Sequence, residues 1–186
     1  ENIERILSGT LSYLFNSFVP GKSFAEVLRE AKAKGYTEPD PREDLSGMDV
    51  ARKILILSRE IGLKLEFSDI TIQPIIPATC EQAPTVDAFF AELEKENAYF
   101  EHMVNAAHAE GKVLRYIAKL ENQKISIGLR AVGSDHPFYQ MDGADNVIAF
   151  TTKRYHDRPL VIKGPGAGAE VTASGVFADI VSLGFN

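Results

Sequence analysis

One stretch constrains this chain more than any other. Gly35-Tyr-Thr-Glu-Pro-Asp-Pro-Arg-Glu-Asp-Leu-Ser-Gly-Met-Asp-Val-Ala-Arg-Lys53 packs five acidic residues and two prolines directly before an apolar segment. Pro39 and Pro41 fix their own φ and push Glu38 and Asp40 toward extended conformations, which predicts a stiff track with splayed carboxylates. Asp44 or Ser46 is placed to cap the helix that follows, and Asp49 falls in its first turn, where the helix dipole favours anions. Asp49 and Lys53 stand four apart and share a helical face. An exposed ion pair of that spacing is common and weak. Here Ile54-Leu55-Ile56-Leu57 follows at once, and four consecutive apolar residues predict a buried helix. A lysine at the mouth of such a helix, facing carboxylates across a proline-stiffened loop, is a candidate proton donor.

The flanking segments frame that loop. Ser23-Phe-Ala-Glu26 is a capping box whose helix runs to Gly35, a C′ glycine. The helix beyond the loop spans about Gly47 to Gly62. Residues 3 to 18 place Ile6, Leu7, Leu11, Leu14, Phe15 and Phe18 at helical spacing, so Gly9-Thr10 is expected within a helix or at a break in it. A mid-helix glycine costs about 1 kcal/mol against alanine, tolerable where helices pack closely or a ligand must approach the backbone.

Farther on, Ile70 to Pro77 reads as a strand confined to an edge by Pro74 and Pro77. Helical stripes follow at Val86, Phe89, Phe90, Leu93 and at Phe100, Met103, Val104, Ala107. His102 and His108 are six apart, share no face, and predict no metal site. Lys112 to Glu121 and Lys124 to Val132 alternate about an Asn122-Gln123 turn, an antiparallel hairpin. Two more strands are expected at Val147 to Tyr155 and Leu160 to Lys163. The fold class is α+β: helices packed on a mostly antiparallel or mixed β-sheet.

Gly164-Pro-Gly166-Ala-Gly168-Ala169 lies between a strand and a helix and imitates a dinucleotide fingerprint. The context differs, because no βαβ unit or ribose-binding acid follows, and a tight turn with close packing is the better reading. The 186 residues, 45% of them hydrophobic, suffice for one sizeable core. A net charge of −6 without a Lys/Arg cluster argues against nucleic acid or an anionic membrane surface as partner. The single cysteine, Cys80, cannot form an internal disulfide, and no apolar run approaches membrane-spanning length, so the cytoplasm is the expected location. The missing initial methionine reads as a piece of something longer.

The run from Tyr36 to Lys53 closely resembles the signature of homoserine dehydrogenases. Ser8-Gly9-Thr10 is similar to that family's Asn-Gly-Thr motif with Ser in place of Asn, and Gly164 to Gly175 resembles its C-terminal glycine-rich turn. The resemblance implies a substrate-binding and dimerisation domain over 1–163, with 164–186 returning to an upstream nucleotide-binding domain. It implies interconversion of aspartate 4-semialdehyde and homoserine in the aspartate pathway, with NAD or NADP bound mainly by that upstream domain. Lys53 would supply the proton and Asp49 would orient it or a water. Glu38 and Asp44, with Tyr36, would hold the amino and hydroxyl ends of the substrate. Backbone around Gly9 and Thr10 would meet its carboxylate, and Gly166 and Gly168 would contact the cofactor. The family's second catalytic lysine and monovalent-cation site would lie outside this chain, which would be inactive alone. A homodimer is implied as well. The alternative is a noncatalytic dimeric module that senses an amino acid through the same loop.

Overall fold

The computed structural model describes residues 2–141, 143–166 and 168–184. Six strands form one mixed sheet in the order β2-β4-β3-β1-β5-β6: β1 (Asn2–Ile6), β2 (Ile70–Ile72), β3 (Val113–Glu121), β4 (Lys124–Val132), β5 (Asn146–Thr151) and β6 (Leu160–Gly164). Only β2 runs parallel to its neighbour, β4, and it occupies an edge as its flanking prolines require. The β3–β4 hairpin turns through Asn122 and Gln123, both left-handed at φ 49° and 60°, the twist that two-residue hairpin loops favour.

The first strand corrects the helix expected over residues 3 to 18. Asn2–Ile6 is extended and sits inside the sheet, antiparallel to β3 on one side and β5 on the other. The helix α1 (Gly9–Ser17) begins only after it, with Ser8 as N-cap accepting the Leu11 N–H at 3.2 Å. Gly9 and Thr10 are therefore the first residues of a helix at the end of a central strand.

The remaining helices are α2 (Phe24–Ala33), α3 (Pro41–Leu45), α4 (Met48–Glu60), α5 (Ala78–Glu81), α6 (Val86–Lys95), α7 (Asn97–Ala109) and α8 (Ala169–Leu183). The capping box on α2 forms in both directions, and Gly35 adopts φ +74° beyond its end. The α-helices before β3 build the main core against one sheet face, where Phe24 stacks on Phe100 at 4.2 Å and meets the edge of Phe18 at 5.2 Å. The helix α4 is not buried all round: Ile54 and Leu55 are buried, but Ile56 is 58% exposed. One face packs on the sheet, leaving Asp49 and Lys53 near the surface.

On the other sheet face, the segment 133–141 folds over to bury Phe138 and Met141 against Ile6, Ile117, Val132 and Val147. Arg115 anchors it, donating to the carbonyls of Phe138, Phe15, Leu114 and Tyr139 at 2.8–2.9 Å. His136 Nδ1 accepts the Phe138 N–H at 3.1 Å, so Nε2 carries the proton toward Glu4 Oε2, 3.3 Å away. That hydrogen bond, with help from Lys119, holds the Glu4 carboxyl below its ordinary range against the opposing effect of burial. A carboxyl depressed in the folded state contributes stability above its unfolded pKa, and the contribution fades as pH falls through the folded value. Glu4→Gln is thus expected to lose about 1 kcal/mol at neutral pH, with the gap to wild type closing below pH about 4 in denaturant titrations. A gap unchanged at acid pH would place the effect elsewhere.

No described helix is long and apolar enough to cross a membrane. The side chains of α8 are exposed along its length, Val176, Phe177, Ile180 and Leu183 among them.

Candidate functional site

Four stretches of chain meet at one end of the sheet: the β1–α1 turn, the acidic loop with the start of α4, the approach to β5, and the glycine-rich turn after β6. They enclose a cavity of about 920 Å³. The nine residues given a catalytic, substrate or cofactor role from the sequence all line it: Gly9, Thr10, Tyr36, Glu38, Asp44, Asp49, Lys53, Gly166 and Gly168.

The acidic loop is more folded than a proline track. Pro41 occupies the first turn of α3 and Asp40 is its N-cap, accepting the Arg42 N–H at 3.0 Å. The Arg42 guanidinium closes on the same carboxylate at 2.6 Å and holds it below its usual range, while also reaching the carbonyls of Ala83 and Glu81. Asp40 is therefore consumed in shaping the loop. Asp44 is a second pin and not the cap of α4. Its Oδ2 accepts the Glu38 N–H at 2.9 Å and its Oδ1 lies 2.9 Å from Thr10 Oγ1. The Thr10 hydroxyl also lies 2.6 Å from the Tyr36 carbonyl, so one proton is shared between two acceptors. The Tyr36 ring stacks on Tyr13 at 4.6 Å. Glu38 stays exposed, and its carboxylate has no hydrogen-bond partner among the described residues.

The N-cap of α4 is Gly47, at φ +70°. Glycine is required there twice over, because a Cβ would also stand 2.2 Å from the Tyr116 hydroxyl. Ser46 helps by accepting the Met48 N–H at 3.2 Å. One turn into α4, the Lys53 ammonium sits 2.7 Å from Asp49 Oδ2 and donates to the Leu7 carbonyl at 2.9 Å. Two of its three donors are engaged and one remains for a ligand. The Leu7 carbonyl was not legible as part of the site, since nothing in the sequence marks a backbone acceptor at a strand end.

Sequence reading also missed Ala144, Asp145 and Asn146, which form the opposite wall. Ser12 donates to the Asp145 carbonyl at 3.0 Å and Asn16 to that of Gly143 at 2.8 Å, so the inner face of α1 fixes this wall. Asn146 explains one glycine: a Cβ on Gly166 would fall 1.6 Å from Asn146 Nδ2. Gly168 is needed for its backbone instead, at φ +125° with open space around it. Ala167 between them lies outside the described residues. Among those described, no group of three His, Cys, Asp or Glu side chains is placed to hold a metal ion.

The homoserine dehydrogenase family model matches residues 1–181. A chloroplastic bifunctional aspartokinase/homoserine dehydrogenase of Zea mays is 50% identical over 183 residues, covering 97% of this chain and 20% of that protein. The homoserine dehydrogenase of Schizosaccharomyces pombe is 46% identical over 189 residues, covering 97% and 50% respectively. A crystal structure of a Candida auris protein of unknown function superposes with a TM-score of 0.92 at 42% identity, covering 98% of this chain and 52% of that one. The chain thus spans half the length of the fission yeast relative and a fifth of the plant one. It belongs to the homoserine dehydrogenase family.

Proposed function

We propose that this cavity is the substrate half of a homoserine dehydrogenase active site, interconverting L-homoserine and L-aspartate 4-semialdehyde in the aspartate pathway of amino-acid biosynthesis. The observation that carries the reading is the convergence, in one cavity, of an unpaired carboxylate on Glu38 and a Lys53 ammonium with one donor to spare. An amino-acid substrate brings an ammonium and a carboxylate, and its aldehyde–alcohol end needs a proton delivered or removed.

Glu38 receives the substrate ammonium, with Tyr36 beside it. Asp44 holds the loop that presents Glu38 and keeps the Thr10 hydroxyl and the Tyr36 carbonyl in register. The start of α1 at Gly9 and Thr10 offers backbone to the substrate carboxylate. Lys53, its ammonium donating to Asp49 and the Leu7 carbonyl, is set for aldehyde reduction. Its proton passes to the carbonyl oxygen as that oxygen gains negative charge, and Asp49 and Leu7 keep the resulting amine in place. In the oxidative direction the neutral amine takes the hydroxyl proton.

The glycine-rich turn suits a nicotinamide cofactor's edge, because Gly166 and Gly168 bring bare backbone to the cavity wall. The cofactor, NAD or NADP, supplies hydride transfer when bound. No βαβ unit exists among the described residues to hold its nucleotide, which fits binding mainly by another part of the protein. We accordingly divide the chain into a substrate and dimer domain, 1–163, and a return segment, 164–186. The exposed apolar side chains of α8 support that division. The sheet face away from the helices carries Glu4, Lys119, Glu121 and Arg130, charges of both signs that suit pairing with a second copy. The buried free thiol of Cys80 suits a reducing compartment such as the cytoplasm, and the named plant relatives are chloroplastic.

The full-length protein is expected to oxidise homoserine with NAD or NADP, followed as nicotinamide absorbance, while residues 1–186 alone do not. Absence of turnover by the full-length protein would overturn the assignment, and turnover by 1–186 alone would overturn the division of labour.

A further inference from the structure

The sheet beneath α4 carries a charge that packing does not require. Arg5 on β1 is 0% exposed, and its guanidinium donates a single hydrogen bond, from Nη2 to the Val50 carbonyl at 3.0 Å. Its Nε and Nη1 are buried with no partner among the described residues. The buried Arg115 on the opposite face has four carbonyl acceptors, so this fold can satisfy an arginine where it uses one only for structure. Burial pushes Arg5 down to about 9, with the nearby Asp49 charge opposing. A buried, poorly paired cation can often be exchanged for an apolar residue of similar volume with no loss of stability or a gain. Stability therefore gives no reason for Arg5.

Its one hydrogen bond does. Val50 follows Asp49 in the first turn of α4, and Lys53 stands on the next turn. Lys53 in its turn donates to Leu7, two residues beyond Arg5 on the same run of chain. Two hydrogen bonds running in opposite directions, Arg5 to Val50 and Lys53 to Leu7, thus tie the end of β1 to the start of α4. The Asp49 carboxylate is ion-paired to Lys53 and within electrostatic reach of Arg5. We infer that Arg5 is a positioning residue for the Asp49–Lys53 pair, retained at a cost in stability because it fixes the first turn of α4 on β1 and shares the charge of Asp49. The inference rests on the reading of Lys53 as the proton donor.

Arg5→Met and Arg5→Lys in the full-length protein test it by three readouts: thermal melting, steady-state kinetics with homoserine, and the ¹³C signal of reductively methylated Lys53, assigned by its loss in Lys53→Ala. Arg5→Met should melt at or above the wild-type temperature. Its kcat should fall about 10-fold or more with KM within about twofold, since small displacements of a catalytic group are costly. The Lys53 signal should shift, and Arg5→Lys should recover part of both losses. A lowered melting temperature in Arg5→Met would make Arg5 a structural residue, and unchanged kcat or an unmoved Lys53 signal would equally overturn the inference. If Lys53→Ala keeps its turnover, the proton-donor reading fails, and the Lys53 signal in Arg5→Met alone decides whether Arg5 positions that side chain.

Discussion

Lys53→Ala in the full-length protein is expected to lower turnover about 10²–10⁴-fold while changing the Michaelis constant for homoserine little, the range for proton transfer by a positioned side chain. Folding should survive the change. The Lys53 side chain is 42% exposed and its ion pair with Asp49 involves a carboxylate 60% exposed, so the pair itself contributes under about 1 kcal/mol. A thermal melt beside the kinetics separates the two effects. A well-folded variant that kept more than about a tenth of its turnover would remove Lys53 from the proton-transfer role.

The second large effect concerns the acidic loop, where the structure separates two carboxylates that look equivalent in sequence. Glu38 faces the cavity without an internal partner, so Glu38→Gln should weaken homoserine binding and leave the melting temperature nearly unchanged. A charge-assisted contact is worth about 1.5–3 kcal/mol, which corresponds to a roughly 10- to 100-fold rise in the Michaelis constant. Asp44 is engaged by both oxygens, with the Glu38 N–H and the Thr10 hydroxyl. In Asp44→Asn the amide nitrogen must face one of those donors, or the Thr10 hydroxyl must turn away from it. With the Thr10 hydroxyl turned to the Tyr36 carbonyl every donor stays paired, but both charge-assisted hydrogen bonds become neutral ones, so that variant should lose about 1 kcal/mol of stability as well as affinity. Equal behaviour of the two variants in melts and kinetics would mean that the loop does not divide its carboxylates in this way.

Much of this arrangement was legible because it is local. The capping box at Ser23 and Glu26, the two-residue turn at Asn122-Gln123, and the proline-confined edge strand each follow from the conformational limits of a few neighbouring residues. The acidic run declared itself by composition. What could not be read locally was set by pairing far along the chain. β1 is a strand because β3 and β5 flank it, and its alternation is masked by the inward-facing Arg5, so Ile6 and Leu7 read as the start of a helix. The extent of α3 was missed because Pro41, read as a stiffener of extended chain, also suits the first turn of a helix. Ile56 was expected to be buried from its apolar neighbours, yet it faces solvent, since a helix resting on a sheet needs only one apolar face. The wall formed by Ala144, Asp145 and Asn146 has no motif at all. It belongs to the site because Ser12 and Asn16, on an ordinary-looking helix, hold it there.

Which end of an amino-acid substrate meets which side chain is measured directly by a crystal structure of the full-length protein with homoserine bound. The ammonium is expected within about 3 Å of the Glu38 carboxylate and the terminal hydroxyl within about 3 Å of Lys53 Nζ. Homoserine bound in the reverse orientation, or outside the cavity between the acidic loop and the glycine-rich turn, would contradict this expectation.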